Sequence, residues 1–360
     1  MKNRNRHATL SDVARRAGVG TTTVSRVING GAKVSPETLA EVRRVIAELG
    51  FVPNYAARML KGEQSKTIGL IVPSIANSFF SSCADAIEKV AHSYGSLVIL
   101  AVTHNDPAIE IGIINTLFRR TDGLLLVPSS SKNRKLSDLV GGLSIPVVCF
   151  DQPMYDLQIP SVLTQSFEGA RDATKHLLQH GFRRILCLGG ELDLFTMNER
   201  VRGYSAAMKE AKARPLIDMR SADCDYEMTA AAIVRHLGGA KPIEAILCLE
   251  NSITISAYTI LQKLKVSVPS QVALIGFDDF DLASTLRPSI TVVQQPVEAL
   301  GHTAAKLLFQ RLALVADTPI KQQKTVKPIQ LETRLILRAS CGCHEVEDPL
   351  LLSKRAASRP

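Results

Sequence analysis

The segment "TLSDVARRAGVGTTTVSRVING", residues 9–30, has the pattern of two short helices joined by a tight turn. Thr9 is a candidate N-cap with Asp12 three residues further on, and Gly18 suits the backbone conformation that a sharp turn needs. The second helix begins with three consecutive threonines, although β-branched residues are poor helix formers. The segment therefore predicts a helix-turn-helix, whose second helix places short side chains against base edges in the major groove of DNA.

The residues that follow add a third helix and a short fourth one. In "SPETLAEVRRVIAELG", residues 35–50, Ser35 can cap a helix and Gly50 can end it. In "VPNYAARMLKG", residues 52–62, Asn54 precedes barely two turns of helix, which are marginally stable alone in water. We expect this helix to form against a partner chain and DNA, where a leucine can enter the minor groove.

Positive charge is concentrated in this N-terminal part of a 360-residue chain whose net charge is +9. Residues 1–62 contain 11 Lys and Arg against 4 Asp and Glu, so the remaining residues are nearly neutral. A basic head on a nearly neutral body is the electrostatic pattern of a nucleic-acid-binding module.

From Lys66 onward, short apolar runs such as "TIGLIVP", "IPVVCFD" and "VALIGFDD" alternate with helical patterns. Continuous apolar runs are typical of strands buried on both faces, and their alternation with helices predicts parallel sheets. Because about 280 residues of this pattern exceed one sheet, we expect two α/β subdomains with a ligand near the carboxyl ends of their strands. The helical patterns cover residues 79–94, 167–180, 201–213 and 253–264.

Several classes of function lack their sequence signals. GxGxxG, the P-loop, GxSxG and HExxH are all missing, which favours a binding protein over an enzyme and predicts no cofactor. Cys341, Cys343 and His344 lie together in "SCGCHE", but without a second ligand pair we expect no metal site. Seven scattered cysteines, no secretory signal and no apolar run of 18 residues predict a cytoplasmic protein without a membrane span.

The N-terminal motifs, "TLSDVARRAGVGTTTVSRVING" followed by "VSPETLAEVRRVIAELGFVPNYAARMLKG", closely resemble the head and hinge of the LacI/GalR (lactose-repressor) family of bacterial transcription regulators. The resemblance is dense over residues 8–62 and extends less densely over the whole body. It implies an N-terminal all-α helix-turn-helix head and an α/β periplasmic-binding-protein-like core of two parallel-sheet subdomains. The expected boundaries are a head at 1–51, a hinge at 52–65, a core at 66–345 with crossovers near 161–166, 292–296 and 326–328, and a disordered tail at 346–360.

The resemblance also implies a function. The expected protein is a homodimeric transcriptional repressor, and a small carbohydrate-like effector in the cleft between the subdomains modulates its affinity for a pseudo-palindromic DNA operator. The candidate DNA-contacting residues are Thr21, Thr22, Ser25, Arg26, Asn29, Asn54, Tyr55, Ala57 and Leu60, with Leu60 as the minor-groove wedge. The candidate effector-binding residues are Phe79, Phe80, Asp151, Thr164, Arg200, Glu250, Asn251 and Asp278.

At two places the sequence departs from the family pattern. Thr164 and Gln165 stand where family members commonly have Asp-Asn, and Glu250 and Asn251 stand where Asn-Asp is usual. Both changes alter polar groups of the cleft, so the identity of the effector stays open, as does its role as inducer or co-repressor. The alternative of a sugar-processing enzyme with an appended head needs Asp278 and Glu250 as an acid–base pair, and no nucleophile or metal cluster in the sequence supports it.

Overall fold

The computed structural model describes residues 8–28, 34–51, 64–190, 192–219, 226–315 and 327–343. The chain forms two compact units, Met1–Ser65 and Lys66–Pro360. The predicted hinge helix, the predicted tail and His344 lie outside the described residues.

The first unit contains three described helices, Leu10–Arg16, Thr21–Ile28 and Pro36–Leu49. Thr9 and Asp12 form a reciprocal capping box, in which the backbone N–H of Thr9 donates to the Asp12 carboxylate at 3.0 Å. Gly18 and Gly50 adopt left-handed φ values of +65° and +55°, so each follows its helix in a conformation that glycine tolerates best. The three helices share a small buried core of Val13, Ala14, Val24, Val27, Val42, Val45 and Phe51. The predicted helix-turn-helix fold is confirmed.

The second unit consists of two lobes, each built on a six-stranded sheet. The first sheet has the order β11-β5-β4-β3-β1-β2, with β1 at Thr67–Val72, β2 at Leu97–Val102, β3 at Gly123–Leu126, β4 at Val147–Phe150, β5 at Ser161–Thr164 and β11 at Ile329–Leu331. The second has the order β12-β10-β9-β8-β6-β7, with β6 at Ile185–Gly189, β7 at Leu216–Met219, β8 at Ala245–Cys248, β9 at Ala273–Phe277, β10 at Thr291–Gln294 and β12 at Arg334–Ile336. Every pairing is parallel except that of β10 with β12.

Helices cover the faces of both sheets, as the buried apolar strands require. The first lobe has Ser78–Ser93, Pro107–Leu117, Arg134–Gly141 and Val297–Leu314, and the second has Ser166–Gln179, Phe195–Glu210, Tyr226–Leu237 and Asn251–Lys263. None of the helices in the described part of the chain has the length and apolar character that crossing a membrane needs.

Two details of the predicted organisation differ from the structure. The helix predicted to begin at residue 201 begins at Phe195, because its first turns carry the polar residues Thr196 and Arg200, which are buried and hide the apolar pattern. The third passage between the lobes comes at residues 332–333 rather than 326–328, because β11 still pairs with β5 in the first sheet.

One close helix contact in the core unit depends on a glycine. Gly203, in the helix Phe195–Glu210, faces the backbone of the helix Ser166–Gln179, and a Cβ there would collide with the carbonyl oxygen of Phe167. We expect Gly203→Ala to lower the free energy of unfolding by about 1–3 kcal/mol, because the two helices must move apart. Urea unfolding followed by far-UV circular dichroism measures the change.

Gly112→Ala is the matched control for this substitution. Gly112 lies in the helix Pro107–Leu117, and a Cβ there meets no atom within 4 Å. This variant should be unchanged or more stable by up to about 1 kcal/mol, because alanine favours helix. Equal effects of the two substitutions would contradict the packing role of Gly203.

Candidate functional site

The first unit presents a polar helix surface that suits contact with DNA. In the helix Thr21–Ile28, Thr21 and Thr22 are exposed, while the valines of the same helix face the core. Ser25 and Arg26 also belong to this helix and lie outside its buried side. The helix therefore buries one side and leaves the predicted reading side accessible. The other candidates of the head and hinge, Asn29, Asn54, Tyr55, Ala57 and Leu60, lie outside the described residues.

A cavity of about 150 Å³ lies between the two lobes of the second unit, at the carboxyl ends of several strands. Six of the eight predicted effector residues line it: Phe79, Phe80, Asp151, Arg200, Glu250 and Asp278. They come from segments far apart in the sequence. They meet because, in each lobe, the strands that precede them end at the same edge of the sheet, which is where ligands bind in parallel α/β folds.

Two buried carboxylates dominate the electrostatics of this cavity. Asp151 directly follows β4 and Asp278 directly follows β9, with left-handed φ values of +62° and +67°. Burial raises the pKa of Asp151 to about 6, against the attraction of Arg200, and the nearby Asp278 raises it further. Burial also raises the pKa of Asp278. Such backbone conformations are strained for residues other than glycine and cluster at functional sites.

Arg200 supplies the positive charge between these acids. It is only 4% exposed, its Nη1 donates to the carbonyl oxygen of Leu249 at 2.6 Å, and the same atom lies 4.0 Å from Asp278 Oδ2. The guanidinium stacks over the ring of Phe277 at 3.8 Å from the ring centroid. Its buried Nε has no hydrogen-bond partner among the described residues. An unpaired buried donor costs about 1–3 kcal/mol, and a ligand oxygen would remove that cost.

The remaining predicted lining residues add an aromatic wall and a third acid. The rings of Phe79 and Phe80 meet edge to face at 5.0 Å, at the start of the helix Ser78–Ser93. Glu250 accepts a hydrogen bond from Ser252, and burial raises the pKa of its carboxyl group. The cavity thus offers apolar ring faces beside several hydrogen-bond acceptors.

Two predicted residues do not line the cavity and reach it through neighbours. The Thr164 hydroxyl donates to the side-chain oxygen of Gln295, whose amide nitrogen donates to Asp278. The Asn251 side chain donates to Asn77 Oδ1 and Ser78 Oγ, both at 3.1 Å, which joins the two lobes. Thr164 therefore acts on the cavity through Gln295, and Asn251 acts through its bonds to Asn77 and Ser78 and through its backbone N–H, which donates to Asp278.

A second polar bridge between the lobes, at Gln152, was not predicted from the sequence. Gln152, which follows Asp151, donates to the Thr196 hydroxyl at 2.7 Å and accepts from the Phe195 backbone N–H at 2.9 Å. The lobes are therefore joined here as well as at Asn251. The sequence places Gln152 at a strand end, next to the predicted effector-binding residue Asp151. A single amide side chain in a loop is too common, however, to predict a bridge between lobes.

Comparison with known proteins agrees with this architecture. A model of "Bacterial regulatory proteins, lacI family" matches residues 9–54, and one of "Periplasmic binding proteins and sugar binding domain of LacI family" matches residues 65–333. This chain belongs to the lacI family. It is a DNA-binding regulator of transcription and not an enzyme.

Individual relatives cover nearly the whole of this lacI-family chain. The ribose operon repressor of Haemophilus influenzae is 32% identical over 336 residues, which are 92% of this chain and 98% of that protein. The HTH-type transcriptional repressor PurR of Vibrio atlanticus is 33% identical over 309 residues, 85% of this chain and 92% of that protein. A solved transcriptional regulator CelR–cellobiose complex is 29% identical, with a TM-score of 0.67 over 92% of this chain and 99% of that one.

The buried acids of the lacI-family core predict that the free energy of unfolding depends on pH. Because the folded protein raises the pKa of Asp151 to about 6, it holds that proton more tightly than the unfolded chain does. The contribution of Asp151 to stability therefore falls as the pH rises from about 4 to about 6. We expect Asp151→Asn to raise the free energy of unfolding at pH 7 by an amount on the order of 2 kcal/mol, with a smaller gain at pH 5.

Urea unfolding at the two pH values measures this difference. Asp279→Asn is the control, because Asp279 forms an ion pair with Arg338 at 2.8 Å, and its loss should destabilise the protein at pH 7. A gain from Asp151→Asn that is larger at pH 5 than at pH 7 would contradict the assigned cause.

Proposed function

We propose that this lacI-family regulator is a cytoplasmic, dimeric repressor that binds a pseudo-palindromic operator and responds to a small sugar held between its lobes. The observation that carries the effector part is the cavity in which Asp151, Asp278 and Arg200 converge from both lobes. Ligand binding there is coupled to how the lobes sit on each other, because several of its polar groups also join the lobes. A ligand that favours one lobe arrangement shifts its population in proportion to its differential affinity.

The chemistry of the cavity suits a polyhydroxylated ring. Carboxylates accept hydrogen bonds from hydroxyl groups, a guanidinium donates to ring and hydroxyl oxygens, and aromatic rings pack against C–H faces. The cavity of about 150 Å³ adjoins a second one of about 320 Å³ that shares Phe79, Asp278 and Gln295, and together they leave room for a small sugar. A sugar also agrees with the description of the matching family model and with the names of the ribose operon repressor and the CelR–cellobiose complex.

Isothermal titration of the purified protein with a panel of pentoses and hexoses tests the effector. We expect one sugar to bind, and Arg200→Lys to weaken it by roughly 10- to 100-fold, because lysine cannot replace the unpaired Nε. Arg202→Lys is the matched control on the same helix, since Arg202 is exposed and pairs with Glu199. If Arg200→Lys left the affinity unchanged, the cavity would not be the effector site. If no sugar of the panel bound, the effector would not be a simple sugar.

The exposed side of the helix Thr21–Ile28 supports a role in reading DNA. Thr21, Thr22 and Ser25 are short enough to let this helix approach base edges, and Arg26 is long enough to donate two hydrogen bonds to a guanine. We extend the proposal to Asn29 and to the hinge residues Asn54, Tyr55, Ala57 and Leu60 on the strength of the sequence resemblance alone.

An exposed apolar edge supports the dimer. Strand β2 lies at the edge of the first sheet, and its Leu97, Ile99 and Leu100 are 72%, 39% and 40% exposed. Tyr94 beside this strand is also half exposed. Long apolar edge strands are association surfaces, and a second copy would cover this one. A two-fold dimer in turn requires an operator with two-fold symmetry.

Selection of the full-length protein on a random duplex pool at ~150 mM salt tests the DNA and dimer parts together. We expect enrichment of an inverted repeat with half-sites about 10 base pairs apart and an easily kinked central step. Arg26→Ala should relax the preference at one position of each half-site, at a cost of about 1–3 kcal/mol there.

Arg15→Ala is the comparison variant, because Arg15 is exposed on the preceding helix and its loss removes the same charge. It should weaken binding to all sequences about equally. Single half-sites without symmetry would overturn the dimer, and equal behaviour of the two variants would overturn the role of Arg26.

A further inference from the structure

Four metal-ligating side chains meet in the second lobe, away from the effector cavity. His176 lies in the helix Ser166–Gln179 and His180 directly follows it, while Cys341 and Cys343 lie near the end of the described chain. The nearest ligand atoms of the four side chains all lie within 4.8 Å of one another. The two cysteines stand out in the sequence, whereas the second ligand pair is more than 160 residues away along the chain.

The distances within this cluster agree with a tetrahedral metal centre. His176 Nε2 lies 3.2 Å from Cys341 Sγ and 3.5 Å from Cys343 Sγ, and His180 Nε2 lies 3.4 Å from Cys343 Sγ. With zinc bonds of about 2.3 Å to sulfur and 2.0–2.1 Å to nitrogen, a tetrahedron places neighbouring sulfur and nitrogen atoms about 3.5 Å apart. A single ion at the centre therefore reaches all four atoms after small side-chain adjustments.

The local backbone brings the ligands to one point. Histidines four residues apart lie on the same helix face, so both imidazoles point to the same side. Gly342, between the cysteines, has a φ of +99°, a conformation that residues with a Cβ rarely adopt, and both thiols lie within 3.5 Å of His176 Nε2. The Thr291 hydroxyl lies 3.1 Å from Cys341 Sγ, where its hydrogen bond can hold a ligand sulfur in place.

We propose that His176, His180, Cys341 and Cys343 form a structural zinc site. Two thiolates and two imidazoles are a ligand set that zinc prefers, and four protein ligands leave no open position for catalysis. The ion would fasten the segment 339–343 to the helix Ser166–Gln179. This segment directly follows Arg338, whose guanidinium donates to Asp279, the neighbour of the cavity residue Asp278.

Cobalt(II) is a suitable probe, because a thiolate ligand adds a charge-transfer band and tetrahedral geometry adds strong visible absorption. The full-length protein is purified under reducing conditions, stripped with a chelator and titrated with cobalt(II), then with zinc(II). We expect one cobalt ion per chain with both bands, displacement by an equimolar amount of zinc, and a higher melting temperature with zinc than after chelation.

His180→Asn and Cys343→Ser each remove one ligand at a position that is not fully buried, so the fold should survive. Each is expected to lower cobalt affinity by roughly 100-fold and to abolish the effect of zinc on the melting temperature. His302→Asn, an exposed histidine on the helix Val297–Leu314 of the first lobe, is the matched control and should behave as the unaltered protein.

The absence of a thiolate-to-cobalt band in the unaltered protein would overturn the proposal. So would bands of undiminished strength in both ligand variants, since cobalt would then be bound elsewhere. A reduced protein that binds no zinc, and whose cysteines 341 and 343 react freely with a thiol reagent in the presence of zinc, would also overturn it.

Discussion

The lobes of this regulator meet around one buried positive charge, the guanidinium of Arg200. Arg200 lies almost fully buried at the junction of the lobes, and a buried ion is costly unless charges and hydrogen bonds surround it. Asp278, Asp151, the Leu249 carbonyl and the Phe277 ring surround the guanidinium from several strand ends. The polar chain from Thr164 through Gln295 to Asp278 then holds the acid that faces it. The groups on this side of the cavity therefore satisfy one buried cation.

The same requirement bears on the effector role that we propose for the cavity. Its acids have raised pKa values, and the buried Nε of Arg200 has no hydrogen-bond partner among the described residues, so a ligand that pairs with these groups would offset part of the cost of burying them. The lobes are joined across the cavity by neutral amide and hydroxyl contacts at Gln152 and Asn251. Such bonds contribute about 0.5–1.5 kcal/mol each, which is small enough for one bound ligand to change the balance between lobe arrangements.

The second lobe shows how far apart in the sequence the parts of a site can lie. The segment 338–343 contacts β9 and β10 through Ser340 and Thr291, and it also carries the two cysteines of the proposed zinc site. Arg338, at the start of this segment, pairs with Asp279, the neighbour of the cavity acid Asp278. A metal at one end and an ion pair at the other would hold the second lobe rigid behind the cavity.

Local sequence was sufficient for most of the elements, whereas the six cavity residues that were predicted needed more than local patterns. Thr9, Gly18 and Gly50 each determine a helix end close to them in the sequence, so the helix-turn-helix could be predicted. Continuous apolar runs indicate strands buried on both faces, so the two parallel sheets could be predicted as well. The cavity residues were found through a family resemblance together with the rule that ligands bind at strand ends. The exposed side of the helix Thr21–Ile28, which we propose reads DNA, could be predicted from the helical period, because exposure on one short helix is a local property.

Only the tertiary structure decided which distant groups meet. It placed Thr164 behind Gln295, made Asn251 a bridge to Asn77, and brought His176 beside Cys341. Each of these relations joins elements that share no periodic pattern, and each depends on the register and packing of two sheets rather than on propensity along the chain. Periodicity records which face of an element is buried, whereas the identity of the neighbour across that face depends on the folded chain as a whole.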